Sequence, residues 1–203
     1  VCGNKSAFIK KNYNFDKFKN MNKNLNVIPD NADVVFIALN PTALAIENDA
    51  LFSRDESLWN ILIKAGILKE SIKEVDLKNR VKEVCGENKH TVNNLKIGIA
   101  DLLPLTIESD SKKVKVNHGD ANKLFEFDPQ LKTAKKIVLL GQKVVDGFRK
   151  DFPHLKSWAD LRKSTAGGYI GSIFMGSHEI KVYSMPFPST NNIPDKHTIY
   201  AKI

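Results

Sequence analysis

Between Asp33 and Asn40 the chain reads Val-Val-Phe-Ile-Ala-Leu, with no polar side chain on either face of an extended backbone. A strand that faces water on one side alternates apolar and polar residues, whereas a strand covered on both sides reads as a continuous apolar run. Pro41 then halts the run, because proline lacks an amide proton and disfavours helix in the residue before it. Ile97–Leu103 and Lys136-Ile-Val-Leu-Leu140 have the same character. Tyr169–Met175 and Glu179–Met185 read as two further strands joined by the turn Gly176-Ser177-His178.

The segments between these runs carry the helical period. Leu58, Ile61, Leu62 and Ala65 recur at helical spacing, with Ser57 placed to cap the helix and Gly66 to end it. Helix is also expected over 71–85, after Asp120, over Gln142–Arg149 beyond the turn at Gly141, and in a short piece from Pro194. Residues 105–119 are polar and basic and read as a loop. Buried strands alternating with helices predict an α/β domain. The expected architecture is a single domain over 31–203, with a mainly parallel four-stranded sheet (34–39, 97–101, 137–140 and 180–185) and helices on both faces. Residues 1–30, rich in Lys and Asn with Phe8, Tyr13, Phe15 and Phe18 among them, form an N-terminal extension that can be helical. A length of 203 residues fills one domain and is short for two.

Sheets of this kind bind ligands beyond the carboxyl ends of their strands. Two loops therefore stand out: Asn40-Pro41-Thr42 after the first strand, and Pro186-Phe-Pro-Ser-Thr-Asn-Asn-Ile193 after the last. The chain carries a net charge of +8, which favours an anionic partner such as nucleic acid. Evenly spread surface lysines produce the same surplus, and composition alone does not separate the two. Cys2 and Cys85 lie in no C-x-x-C pair and read as free thiols, and the 5 histidines form no H-E-x-x-H pattern, so neither a metal nor an organic cofactor is expected. There is no phosphate-binding G-x-x-x-x-G-K-[ST] loop. Asp101 ends the second run and can serve as a carboxylate base, but the sequence shows no partner for it. With no membrane-length apolar run and no signal-peptide pattern, a cytoplasmic monomer without membrane contact is the expectation.

The order of these features resembles one family. A buried strand ends in Leu39-Asn40-Pro41-Thr42, an aromatic follows at Phe52, a helix carries Leu58-Trp59 and Ala65-Gly66, and the closing strand runs into Phe187-Pro-Ser-Thr-Asn-Asn192. Over about residues 33–193 this arrangement is similar to the mismatch-specific uracil/thymine DNA glycosylases of the uracil-DNA glycosylase superfamily. No single motif is specific; their order and their placement at strand ends are. The resemblance implies base excision from DNA that holds a damaged or mismatched base, after the base leaves the stack. It implies that Asn40 orients the attacking water, that Phe52 stacks on the flipped base, and that Thr42 and Phe187 also line the base site. Ser189 would hold a neighbouring phosphate, and Thr190, Asn191, Asn192 and Ile193 would form the wedge that fills the vacated stack. Lys112, Lys113, Lys115, Arg162 and Lys163 are candidate backbone contacts.

Each residue has a plainer competitor. Asn before Pro is a common turn residue, Phe52 can be a core residue, and any one lysine can be a solvated charge. Three positions depart from the family: Ala38 and Thr42 stand where Gly is usual, and Phe187 where His or Asn is usual. The Pro188-Ser189-Thr190 run is similar to a hypoxanthine-excising branch, so hypoxanthine excision and a catalytically inactive DNA-binding homologue both stay open. If phosphates are the partner, affinity for duplex DNA should fall steeply as salt rises, because binding releases condensed counterions. A titration across salt concentrations checks this, and a curve indifferent to salt would point to another partner.

Overall fold

The computed structural model describes residues 23–162, 167–189 and 195–203. Five strands form one sheet: β1 (Val34–Ala38), β2 (Ile97–Asp101), β3 (Lys136–Leu140), β4 (Gly168–Met175) and β5 (His178–Met185), in the spatial order β2-β1-β3-β5-β4. The four expected strands are all parallel neighbours. Val34 pairs with Ile97, Val35 with Ile137, and Ile137 with Val182. The hairpin partner β4 runs antiparallel along β5 and brings the sheet to five strands. The helices are α1 (Ala43–Glu47), α2 (Ser57–Lys64), α3 (Leu77–Val81), α4 (Asp120–Phe127), α5 (Gln142–Asp151), α6 (Trp158–Arg162) and α7 (Lys196–Tyr200).

The double burial inferred for the first run is realised by alternation. Val34, Phe36 and Ala38 join one core cluster, in which Leu58, Trp59 and Leu62 of α2 and Tyr200 of α7 pack against the sheet. Val35 and Ile37 join the opposite cluster with Leu124 and Phe125 of α4 and Val144, Val145 and Phe148 of α5. At β3 the same split sends Val138 and Leu140 to the first cluster and Ile137 and Leu139 to the second. The helices therefore cover both faces, as expected for a mainly parallel sheet.

Three local expectations are corrected. Ser57 is the first residue of α2 and not its cap; the carboxylate of Asp55 accepts the Ser57 N–H at 2.8 Å. The single helix expected over 71–85 is broken into a 3-10 segment Glu70–Glu74, α3, and a π turn Lys82–Gly86. Buried Arg80 accounts for the break between the first two. Its guanidinium takes the carbonyls of Val75 (2.9 Å) and Lys73 (3.3 Å), pairs with Glu56 at 2.5 Å and lies 5.9 Å from the centre of the Trp59 ring. A continuous helix would need those carbonyls for its own ladder. The third correction concerns the start of the domain. Leu25 is buried, Val27 bridges to Ile99 through two 2.9 Å backbone bonds, and Asn24 and Asn26 hold the Asp128 carboxylate. Residues 24–28 thus belong to the body and shield the outer edge of β2. The helix entertained for the extension falls on residues 1–22, outside the described residues.

Gly66 does end α2, at φ +74. The start of α4 depends on a side chain from α5. The Asp151 carboxylate is fully buried and accepts the N–H groups of Gly119, Ala121 (2.9 Å) and Asn122 (3.1 Å), which have no partner inside the helix. Asp151→Ala is expected to destabilise the fold by about 1–2 kcal/mol, since it removes the acceptor shared by three backbone donors at the start of α4. Urea denaturation of the variant against the parent measures this, and a change within a few tenths of a kcal/mol would show that water replaces the carboxylate.

Candidate active site

Parallel pairing brings the carboxyl ends of β1, β2, β3 and β5 to one edge of the sheet. Asn40 leaves this edge two residues past β1. Its Nδ2 donates to the carbonyls of Pro41 (3.0 Å), Thr106 (3.0 Å) and Glu108 (2.8 Å). Carbonyl oxygens only accept, so the three of them fix which end of the amide is nitrogen. Among the described residues Oδ1 has no partner, and the side chain is partly exposed. An amide held in this way cannot act as a proton base, but it presents a fixed acceptor to water.

Thr42 has a local task. Its Oγ1 accepts the Ala45 N–H at 3.2 Å and caps α1. Phe52 lies in the connection from α1 to α2 at φ +51, in the left-handed region where a bulky residue is an outlier. Such a conformation costs on the order of 1–3 kcal/mol and persists only where neighbours hold it. Two neighbours do so here. The Trp59 indole N–H donates to the Phe52 carbonyl at 3.2 Å, and the Phe187 ring lies 6.3 Å away, centre to centre, with planes 27° apart. Phe187 follows β5, is 37% exposed, and rests over Gly141, where an added Cβ would come 3.6 Å from that of Phe187. Gly141 adopts φ +89 and donates its N–H to Met185 at 2.8 Å.

The structure therefore brings Phe52 and Phe187 together, 135 positions apart in the numbering that runs from 52 to 187. The strands that deliver Asn40 and Phe187 are separated only by β3, so their ends are about 10 Å apart at the usual strand spacing. Ser189 is exposed on the turn beyond Phe187. Thr190, Asn191, Asn192, Ile193 and Lys163, and the side chain of Arg162, lie outside the described residues. Lys112, Lys113 and Lys115 are exposed on the 105–119 loop, whose carbonyls hold Asn40. Among the described residues no group of His, Cys, Asp and Glu could hold a metal ion, and no helix is long and apolar enough to cross a membrane.

Residues 25–198 match the family model of the Uracil DNA glycosylase superfamily. The chain belongs to that superfamily. No individual curated protein matches it. The superfamily, the α/β fold and the polar edge together fit a hydrolase of the DNA-glycosylase type.

Several groups at this edge were not legible from sequence as members of the site. The carbonyls of Thr106 and Glu108 are backbone atoms of an irregular loop and leave no side-chain signal. Trp59 stands in the quoted helix motif, yet nothing in the sequence shows its bond to Phe52. Among the described residues the N–H groups of Phe52 and of Thr42, at the start of α1, have no acceptor. Asp101, at the end of β2 in register with Ala38, is fully buried; among the described residues its Oδ2 has no hydrogen-bond partner, and burial pushes its carboxyl up to about 7 from the ordinary 3.8. A raised carboxyl pKa means that the native state binds more protons than the unfolded chain between those two values. Stability from this group is then full below pH 3.8 and is lost as pH rises through about 7. Asp101→Asn should therefore gain thermal stability relative to the parent as pH is raised through that window. Melting curves at several pH values check the sign, and a difference that does not change with pH would place the proton elsewhere.

Proposed function

We propose that the protein is a monofunctional DNA glycosylase that hydrolyses the N-glycosidic bond of uracil or a related deaminated or mismatched base, on the pattern of the mismatch-specific branch. The observation that carries this reading is the Asn40 amide, anchored through its nitrogen to three carbonyls in a chain of this superfamily. Hydrolysis requires a flipped nucleotide, a water on the far face of the sugar, and stabilisation of the base as it leaves with the bonding electron pair. Asn40 Oδ1 would accept a hydrogen bond from the water and aim the water's lone pair at the anomeric carbon, the water's proton passing to solvent as the bond to carbon forms. Phe52 would stack on the base, and the N–H groups of Thr42 and Phe52, which have no acceptor among the described residues, would donate to its oxygens. Phe187 would line the same pocket. Ser189, with Thr190, Asn191, Asn192 and Ile193, would contact the DNA strand around the lesion. None of these roles needs a metal or an organic cofactor.

An oriented water contributes in the transition state and little to ground-state binding. Asn40→Ala should lower the single-turnover excision rate by on the order of 10²-fold or more, with DNA affinity nearly unchanged. Asn40→Asp should not restore activity, because a carboxylate oxygen would then face three carbonyl oxygens. Duplexes carrying uracil, mismatched thymine or hypoxanthine, nicked by alkali after reaction, give the rates and the preferred base together. Turnover by Asn40→Ala at the parental rate would reduce Asn40 to a turn residue. Tight lesion binding by a parent that excises none of the three bases would make the protein an inactive homologue.

A further inference from the structure

The β4–β5 hairpin is covered on one face only. Ile170 and Ile173 of β4 and Ile180 and Val182 of β5 are buried in the core cluster of α4 and α5. The side chains of the opposite face meet solvent. Tyr169 is 46% exposed and Phe174 66%, and Glu179 and Lys181 are exposed beside them. Phe174 is the most exposed large hydrophobic side chain among the described residues. Antiparallel register sets Tyr169 opposite Tyr183, Ser172 opposite Lys181 and Phe174 opposite Glu179. Both ends of this face are therefore aromatic, about 13 Å apart at the usual strand rise, and Lys181 stands between them.

The polar groups of the face are organised so that a positive charge is left available. Ser172 Oγ donates to the Glu179 carboxylate at 2.6 Å and lies 2.8 Å from Tyr169 Oη, which draws Glu179 towards β4. Among the described residues Lys181 has no ion pair. Its register neighbour on β3 is Lys136, whose ammonium bonds the Ile203 carbonyl. Two cations at adjacent strand positions repel each other, and an anion between them relieves the repulsion. At the aromatic end, Tyr169 and Tyr183 pack edge to face, with centres 5.7 Å and planes 64° apart, so the exposed Tyr169 ring is held in one orientation.

Strand addition does not explain the feature, because the outer edge of β4 is already engaged. His154 Nε2 donates to the Ser172 carbonyl at 2.8 Å, and the Lys156 N–H to that of Ile170 at 2.9 Å. A net charge of +8 opposes a second copy as the occupant and favours a polyanion. Exposed aromatics on an open sheet face with a cation between them suit unpaired bases joined by phosphates.

We propose that the open face of the β4–β5 hairpin is a platform for single-stranded nucleic acid, on which Tyr169 and Phe174 each stack a base and Lys181 meets the phosphate between them. Every base offers a flat face, so binding is tolerant of sequence. The platform lies outside the glycosylase reading and stands without it.

The probes are a short labelled oligothymidylate, an oligouridylate of the same length and a duplex, none carrying a lesion, with affinities read by fluorescence anisotropy over a range of salt. Phe174→Ala should weaken oligothymidylate binding about tenfold, the scale of one base–aromatic stack, with the salt dependence unchanged. Phe174→Tyr, which keeps a ring, should bind as the parent does. Lys181→Gln should reduce the slope of log affinity against log salt by about 0.7, the value for one phosphate contact on a single strand. The same losses are expected with oligouridylate, because neither contact involves the sugar, while duplex affinity stays at the parental value. Both side chains are exposed, so thermal melting of the variants should match the parent. Parental affinity of Phe174→Ala for both oligonucleotides, or an equal loss on the duplex, would overturn the platform. So would a change from dimer to monomer in Phe174→Ala by sedimentation with oligonucleotide affinity intact, since the face would then join two copies. A parent that excises no base yet shows these losses would remove the glycosylase reading and leave the platform in place.

Discussion

Parallel pairing governs this structure more than any other constraint. Two parallel neighbours cannot be joined by a tight turn, so the chain must cross a face of the sheet between them, and it leaves every such strand at the same edge. Two consequences follow. Both faces acquire helices and must be apolar, which explains why β1 contains nothing but apolar residues. The strand ends also collect on one edge: Asn40 beyond β1, Asp101 at the end of β2, Gly141 beyond β3 and Phe187 beyond β5. The β4–β5 hairpin reverses the chain once without disturbing this arrangement, because it is β4 that runs antiparallel and lies outermost.

An edge made of loops is useful only if the loops are held, and here buried or anchored polar groups hold them. The 105–119 segment has neither helix nor strand. It buries Val114 and Val116, and two lysines of α5 bond its backbone, Lys143 to the carbonyl of Ser111 and Lys150 to that of Val116. The same segment supplies the Thr106 and Glu108 carbonyls to Asn40. The charge surplus is therefore not uniformly available to phosphate. Lys143 and Lys150 are engaged in organising the loop, whereas Lys112, Lys113 and Lys115 project from it into solvent.

What the sequence made legible follows from the range of the interactions. The four parallel strands could be read because double burial is written into consecutive residues. The hairpin could be read because its turn is local. The break in the 71–85 helix could not, because it depends on Arg80 turning back onto carbonyls of an earlier turn and onto Glu56 and Trp59. Ser57 was misread as a cap because Asp55, two residues earlier, offers an equally good acceptor. At the candidate site, the place of Asn40 at a strand end and the family resemblance of Phe52 and Phe187 are what nominate them. The contact between the two rings is tertiary, and so is the carbonyl cradle of Asn40; no spacing in the chain encodes them.

On the glycosylase reading, a phenylalanine at 187, where the resemblance implies His or Asn, changes where leaving-group charge can be met. A histidine or asparagine at this position would offer a donor to a base departing as an anion; phenylalanine offers only a face. Phe52 itself carries a backbone N–H that has no acceptor among the described residues, as does Thr42 at the start of α1. A backbone donor differs from an imidazole in two respects. It does not titrate near neutral pH, and its direction is set by the fold. The left-handed backbone of Phe52 then acquires a physical rationale, because φ +51 determines where its N–H points as well as where its ring lies. A strained conformation that aims a ring and a donor together is the kind of local cost that persists when a binding site needs both. On the glycosylase reading, stabilisation of the leaving base at this edge comes from geometry fixed in folding and not from an acid that must first be protonated.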